Sequence, residues 1–298
     1  MKVFLTGASG RLGSHIIPHL LARGHTVTGL VRSDASASVI KALGTSSEVI
    51  PLIGSLDDTD LLTSNAKSHD AVIHCAMDHK NPATGPVQER ATLKLFAEAL
   101  EGSGKPLLMS SGTGLLPKGS DETARSTPGK MLRAETEAFV LDLKEKNIRS
   151  IVVRLAMNTH DISHIHIFEG MLIGAASEAK LGYIPYVGDA VWSACHADDA
   201  GLLYVLAMEK AEPGTAVHAV EEFVKVKDIA EALSRRTGLK AGEASKDKDK
   251  FGTLGWLGML LGWDNEVKNQ WTKKTFDWQP KGQSLLEEFA AAPDSYFR

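Results

Sequence analysis

The chain has 298 residues, 43% of them hydrophobic, enough to fill one large α/β domain with an appended lobe but short for two independent domains. Its 33 basic and 37 acidic residues give a formal charge of -4, with no basic block or basic-aromatic interleaving that could track a phosphate backbone, so nucleic acid is not an expected partner. Cys75 and Cys195, each in an apolar stretch, read as reduced thiols in a reducing compartment, and the cytoplasm is the expected location.

The opening "MKVFLTGASG" enters a strand at residue 2 and is read as leaving no room for a leader. From there, short β-branched runs alternate with amphipathic stretches, the pattern of βαβ units and a parallel sheet. Strands are expected at Lys2 to Leu5, Thr26 to Val31, Glu48 to Leu52, Ala71 to Cys75, Pro106 to Ser110 and Ser150 to Leu155. Helices are expected between them at about Arg11 to Arg23, Ala35 to Leu43, Asp58 to Ala66, Pro86 to Leu100 and Lys130 to Lys146. After Leu155 the alternation breaks down. A helix near Phe168 to Lys180, a strand at Tyr183 to Val187, a helix from Asp198 to Met208, a strand at Ala216 to Val220 and a helix from Val226 to Thr237 are read as a smaller lobe. The expected division is 1–158 for the nucleotide-binding domain and 159–298 mainly for a substrate-binding lobe, some of whose segments return to the main sheet. "KDKDK" at Lys246 to Lys250 reads as a solvated loop. "FGTLGWLGMLLGW", Phe251 to Trp263, is too short to span a bilayer and holds four glycines, so it is read as a substrate lid or as the contact of a homodimer, with no membrane partner.

"TGASGRLG" places Gly7, Gly10 and Gly13 between a strand and an amphipathic helix, with a second strand ending at Val31. In that context the triplet is a dinucleotide loop: a tight turn at Gly7, close approach of a pyrophosphate to backbone N–H groups at Gly10, and close helix–strand packing at Gly13. Thr6, Ser9, Arg11 and Leu12 complete the loop. An acid at the end of the second strand would bind the ribose hydroxyls of NAD. Here that strand ends "VRS", putting Arg32, with Ser33, where a 2′-phosphate would sit, and Arg11 is a second candidate cation; the charge logic favours NADP(H).

With these residues in place, the chain resembles the short-chain dehydrogenase/reductase superfamily, in its extended and atypical branch, over nearly its whole length. The resemblance implies a Rossmann fold, an α/β doubly wound parallel sheet with a smaller C-terminal substrate-binding lobe. "GSLDD" is similar to the segment that borders the adenine, implicating Ser55 and Leu56, with Ser55 in place of the usual acid. "VIHCAM" matches the fourth-strand segment beside the ribose and nicotinamide, implicating Cys75, Ala76 and Met77. "LLMSSGTG" matches the fifth-strand serine run, with Ser110, and "VVRLAM" takes the place of the segment bordering the nicotinamide, with Leu155 and Ala156. "HADDA" from His196 and "TKKTFDWQP" from Thr272 resemble later elements of extended members.

The catalytic pattern breaks at "STPGKMLRAETEAF", Ser126 to Phe139. The superfamily's Tyr-x-x-x-Lys aligns with Gly129 and Arg133, so the cation survives and the proton donor does not. Arg133 is expected to keep the ribose contact, although a group that does not titrate is no proton shuttle. The family's serine aligns with Gly112, leaving Ser111 and Thr113 as candidates to orient a carbonyl. Substitute donors are Lys130, Tyr183, Tyr186 and the histidines of "NTHDISHIHIF", with His160 ranked above His164, His166, His79 and Asp78. No paired acidic or cysteine signature accompanies these histidines, and no metal is expected. The expected function is reduction of a ketone, imine or activated alkene of a small organic molecule by hydride from NADPH. A non-redox isomerase or cyclase on the same scaffold and a non-catalytic NADP sensor are the other readings.

Overall fold

The computed structural model describes residues 1–79, 81–127, 129, 131–176, 181–244 and 252–297. Its first half runs β1 (Lys2–Thr6), α1 (Arg11–Ala22), β2 (Thr26–Val31), α2 (Asp34–Lys41), β3 (Val49–Ile53), α3 (Thr59–Ser68), β4 (Ala71–His74), α4 (Gly85–Leu100), β5 (Pro106–Gly112), α5 (Leu132–Asp142) and β6 (Arg149–Leu155). The second half adds β7 (Asn158–His160), α6 (Ile167–Ala175), β8 (Ile184–Tyr186), β9 (Val191–His196), α7 (Ala197–Lys210), β10 (Thr215–Ala219), β11 (Glu222–Lys225), α8 (Val226–Thr237) and β12 (Ala241–Glu243). Short helices follow at Trp256–Leu261, Gln270–Phe276 and Leu285–Ala291.

The central sheet has seven parallel strands in the order β10-β6-β5-β4-β1-β2-β3. Side chains alternate across it, as a pleated strand requires. Val3, Leu5, Ile73, Leu108, Ile151 and Val153 pack with Ile16, Ile17 and Leu20 of α1 and with the buried face of α7. Phe4, Val72, Leu107, Met109 and Val152 pack on the other side with α3, α4 and α5. Both faces are therefore covered, which is why these strands are apolar throughout. The order reverses direction at β1, so the carboxyl ends of β1 and β4 flank the crevice where such sheets take ligands.

The lobe has its own core, built around Leu172, Trp192, Ile229, Leu257, Leu261 and Phe289, and two small sheets, β11-β9-β7 and β12-β8. The strand expected in the lobe at Ala216 to Val220 is instead β10, the edge of the main sheet beside β6, and α7 packs there too. Strands β7, β9, β11 and β12 were not expected from sequence. They span three to six residues each and pair with distant segments, so no local periodicity announces them. Helix α5 begins at Leu132, not at Lys130, and ends at Asp142, after which Leu143–Lys146 is a 3-10 turn. Helix α6 is described to Ala175, and the expected extension to Lys180 lies outside the described residues, as does "KDKDK". Among the described residues no helix is long and apolar enough to cross a membrane.

Candidate active site

The glycine loop is held by backbone packing. Gly7 has φ +75°, and a Cβ on it would meet the Ala76 nitrogen and the Cys75 carbonyl carbon at 2.9 Å. A Cβ on Gly13 would lie 2.3 Å from the Gly7 carbonyl oxygen. The loop therefore sits directly on the 75–76 segment, with α1 pressed against both. Gly10 caps α1 with no side-chain hydrogen bond, and the first turn carries no acid, so the N–H groups at that end are open to an anion. These features fit the pyrophosphate of a dinucleotide. The Thr6 hydroxyl is buried and bonded to His74 Nδ1 at 2.7 Å, so Thr6 contributes backbone only.

At the adenosine end the two candidate cations separate. Arg32 is exposed at the end of β2, and among the described residues no carboxylate pairs with it. Ser33 caps α2 by accepting the Ser36 N–H. Arg11, by contrast, turns toward the loop after β7: its guanidinium lies 3.4 Å from Asp161 and donates to the Thr159 and His164 carbonyls. Burial pushes the Asp161 carboxyl up, and hydrogen bonds from His15 and Ser163 with Arg11 close by more than reverse this, holding it well below the usual range. Arg11 is thus neutralised by its own protein. Ser55 and Leu56 form the turn after β3, where Asp58 accepts from the Ser55 N–H at 2.6 Å.

Adjacent serines of β5 part company because strand neighbours face opposite layers. Ser110 turns toward α7 and accepts from the Tyr204 hydroxyl at 2.6 Å. Burial holds the Tyr204 phenol well above its ordinary value and the Cys75 thiol beside it up to about 11, so neither group ionises readily. Ser111 turns toward α5 and donates to Glu137 at 2.5 Å. Glu137 also receives Ser126 at 3.0 Å and two N–H groups of the fully buried Arg154, the closer at 2.7 Å. Thr113 is buried as well, donating within a knot of the Leu155 carbonyl, Asn265 and Ser193. The hydroxyls of Ser111 and Thr113, the two candidates to orient a carbonyl, are thus both bonded to buried groups.

Arg133 lies in the first turn of α5. It donates to the Ser110 carbonyl at 2.7 Å, lies against Met77 Sδ, and pairs with buried Glu89 at 3.3 Å. Gly129 lies in a turn ahead of α5 with φ +87°, a backbone region that a tyrosine rarely adopts. Among the described residues α5 begins at Leu132, three positions after Gly129. Gly129→Tyr is therefore expected to leave turnover within about twofold of the parent and to cost about 1 kcal/mol of stability; a large gain in turnover would show that the position alone was missing.

Of the substitute donors, His160 is fully buried, with Nδ1 2.8 Å from buried Glu288 and its ring stacked edge-on against His196. The structure does not bring it to the surface of the site. Tyr183 packs over Gly242 against the lobe core, and Tyr186 faces Lys227. Lys130 lies outside the described residues. His164 is exposed, its ring beside the Ser163 hydroxyl. His166 is placed differently. It caps α6, its Nδ1 accepts from the Phe168 N–H at 3.4 Å and lies 3.4 Å from Glu169, and no described residue bonds its Nε2. Glu169 is fully buried. The His79 imidazole titrates below its ordinary value, first through desolvation and then through the charges of Arg133 and His166. His166 also lines a cleft of about 410 Å³ between α6 and the segment 254–257. Among the described residues no group of three or more His, Cys, Asp or Glu side chains is placed to hold a metal ion.

Two buried histidines at the site's edges set an acid limit on stability. His74 is depressed to about 3 by burial and then by Arg133, and His218 to about 4 by burial and then by Arg154. Unfolded histidine titrates near 6.5, so between these values the unfolded chain binds more protons. The contribution is full above about pH 6.5 and is lost as pH falls, on the order of 1.4 kcal/mol per pH unit for each histidine. Urea midpoints should drop clearly from pH 7 to pH 5; equal midpoints would contradict neutral burial of the pair.

The sequence model of the NAD(P)H-binding family matches residues 7–168, more than half of the chain. An uncharacterized protein of Saccharomyces cerevisiae is 33% identical over 298 residues, 98% of each chain. A 4-hydroxy-2-methyl-3-oxo-4-farnesyl-3,4-dihydroquinoline-1-oxide ketoreductase of Stigmatella aurantiaca is 26% identical over 264 residues, 81% of this chain and 75% of that one. Among solved structures, a nucleoside-diphosphate-sugar epimerase of Pseudomonas aeruginosa superposes with a TM-score of 0.75 at 16% identity, covering 100% of this chain and 97% of that one. A UDP-glucose-4-epimerase of Stenotrophomonas maltophila, solved with bound NAD, gives 0.70 at 17% identity, covering 100% and 98%. These two share the fold. The glycine cradle, the parallel sheet and the family match agree, and the chain belongs to the NAD(P)H-binding family.

Proposed function

We propose that this protein is an NADP(H)-dependent reductase of a ketone or imine, with His166 as the proton donor that replaces the superfamily tyrosine. The observation that carries this reading is the imidazole of His166 lining a cleft, with a buried carboxylate 3.4 Å from its Nδ1. The name of the Stigmatella aurantiaca ketoreductase is consistent with it. Bound NADPH would supply the hydride. Arg133 holds the ribose side through a cation fixed on the Ser110 carbonyl, and the α1 N-terminus holds the pyrophosphate. On protonation Nδ1 ceases to accept from the Phe168 N–H and turns its own N–H toward Glu169, 3.4 Å away, while Nε2–H points to the substrate oxygen or nitrogen, so that proton and hydride reach adjacent atoms. Glu169, whose two buried carboxylate oxygens are bonded to no described residue, is the acceptor available to that N–H.

Arg32 is the proposed partner of the 2′-phosphate. A charge-assisted contact of this kind is worth about 1.5–3 kcal/mol, so Arg32→Ala should reduce the NADPH-over-NADH preference by about 10- to 100-fold. An unchanged preference would end the phosphate assignment. The function is tested by fluorescence titration of NADPH and NADH together with NADPH oxidation over ketones and imines. A second reading, a cofactor sensor without turnover, is favoured by the burial of both Ser111 and Thr113 hydroxyls. Tight NADPH binding with no oxidation across the panel would select it.

A further inference from the structure

The cleft beside His166 has a composition that limits what can enter it. Ile165, Ile167 and Met171 face Leu254 and Leu257, and among the described residues that line it His166 is the one ionisable side chain. Apart from His166, none of the described lining side chains can pair with a phosphate or a carboxylate, whose burial without a partner is costly. Gly170 and Gly174, one turn apart on α6, leave its floor open: a Cβ on Gly174 would meet no atom within 4 Å. Trp256 at 47% exposure and Met259 at 60% extend the apolar surface on the next helix, with Trp256 tilted against Phe168 at 5.8 Å. A volume of about 410 Å³ suits a small molecule rather than a protein segment. At roughly 30 Å³ per water-sized group it holds on the order of a dozen heavy atoms.

We propose that this cleft binds an uncharged, apolar arm of the substrate, with the reducible group at its His166 end. The assignment rests on the reductase reading for the position of the reacting atom, but the binding of the arm can be measured without turnover. The probes are butan-2-one, hexan-2-one, octan-2-one and decan-2-one, titrated calorimetrically into the full chain saturated with NADP+, which has no hydride to give. Kd should fall about fourfold for each added methylene, as burial of a CH₂ group predicts, and level off once the cleft is full. 9-Oxodecanoate, which carries a carboxylate on a chain of the same length, should bind at least tenfold more weakly than decan-2-one.

Gly174→Leu fills the open floor at a helical position that favours leucine over glycine, so the fold should persist. In this variant the gain beyond hexan-2-one should vanish while NADP+ affinity stays unchanged. A Kd independent of chain length, an equal gain in Gly174→Leu, or equal binding of 9-oxodecanoate would overturn the proposal. Chain-length-dependent binding with no NADPH oxidation would leave the cleft assignment standing and remove the reductase reading alone.

Discussion

Replacing Arg154 with methionine is expected to cost the fold about 3–5 kcal/mol, the usual consequence of leaving a buried charge without its partner. Arg154 is fully buried in β6, and its guanidinium is shared among Glu137, the carbonyls of Glu122 and Ala124, and His218. Removing it leaves the carboxylate of Glu137, itself 1% exposed, with only the Ser111 and Ser126 hydroxyls. Urea denaturation at pH 7 should show the loss as a lower midpoint with a similar slope. The double variant Arg154→Met, Glu137→Met should recover most of it, because an apolar pair of similar volume removes the stranded charge. A single-variant loss under about 1 kcal/mol would mean that Glu137 is not held by Arg154.

The largest effect on turnover is expected from His166→Asn. Asparagine caps a helix well, so α6 should keep its first turn, while the side chain has no proton to give at neutral pH. Loss of a positioned general acid lowers kcat by about 10²–10⁴-fold. NADPH affinity should be unchanged. His160→Asn makes the contrast: it disturbs the buried pair with Glu288 and should show mainly as lost stability. Full turnover in His166→Asn would mean that solvent or another group delivers the proton.

The nucleotide half of the molecule was legible because its signals are local. Gly7, Gly10 and Gly13 stand between a strand and a helix, and the strands from Lys2 to Leu155 appear close to their expected bounds. The donor set was harder because strand register decides it. Ser111 can be assigned to Glu137 only once the alternation of β5 and the position of α5, 26 residues on, are known. Part of that was available in the sequence: an arginine inside the apolar run "VVRLAM" must find a buried acid, and the only question is which one. His160 ranked above His166 because it follows the strand directly, yet β7 continues through it and turns it inward. The spacing of His166 and Glu169 at the start of an apolar helix has the form of a capping box, and that signal could have moved His166 to the front. The lobe's small sheets, by contrast, pair segments tens of residues apart, as when Asn158 meets Ala194 and Ala194 meets Glu222.

The most direct test of a reductase with a substituted acid is the fate of a labelled hydride. NADPH carrying deuterium at one face of the nicotinamide C4 is incubated with the protein and the ketones of the chain-length series, and the product alcohols are analysed by mass spectrometry. Deuterium on the carbinol carbon from one face only, with transfer slowed by the His166→Asn change, is the expected result. Bound NADPH that never transfers its deuterium to any carbonyl or imine offered would contradict it.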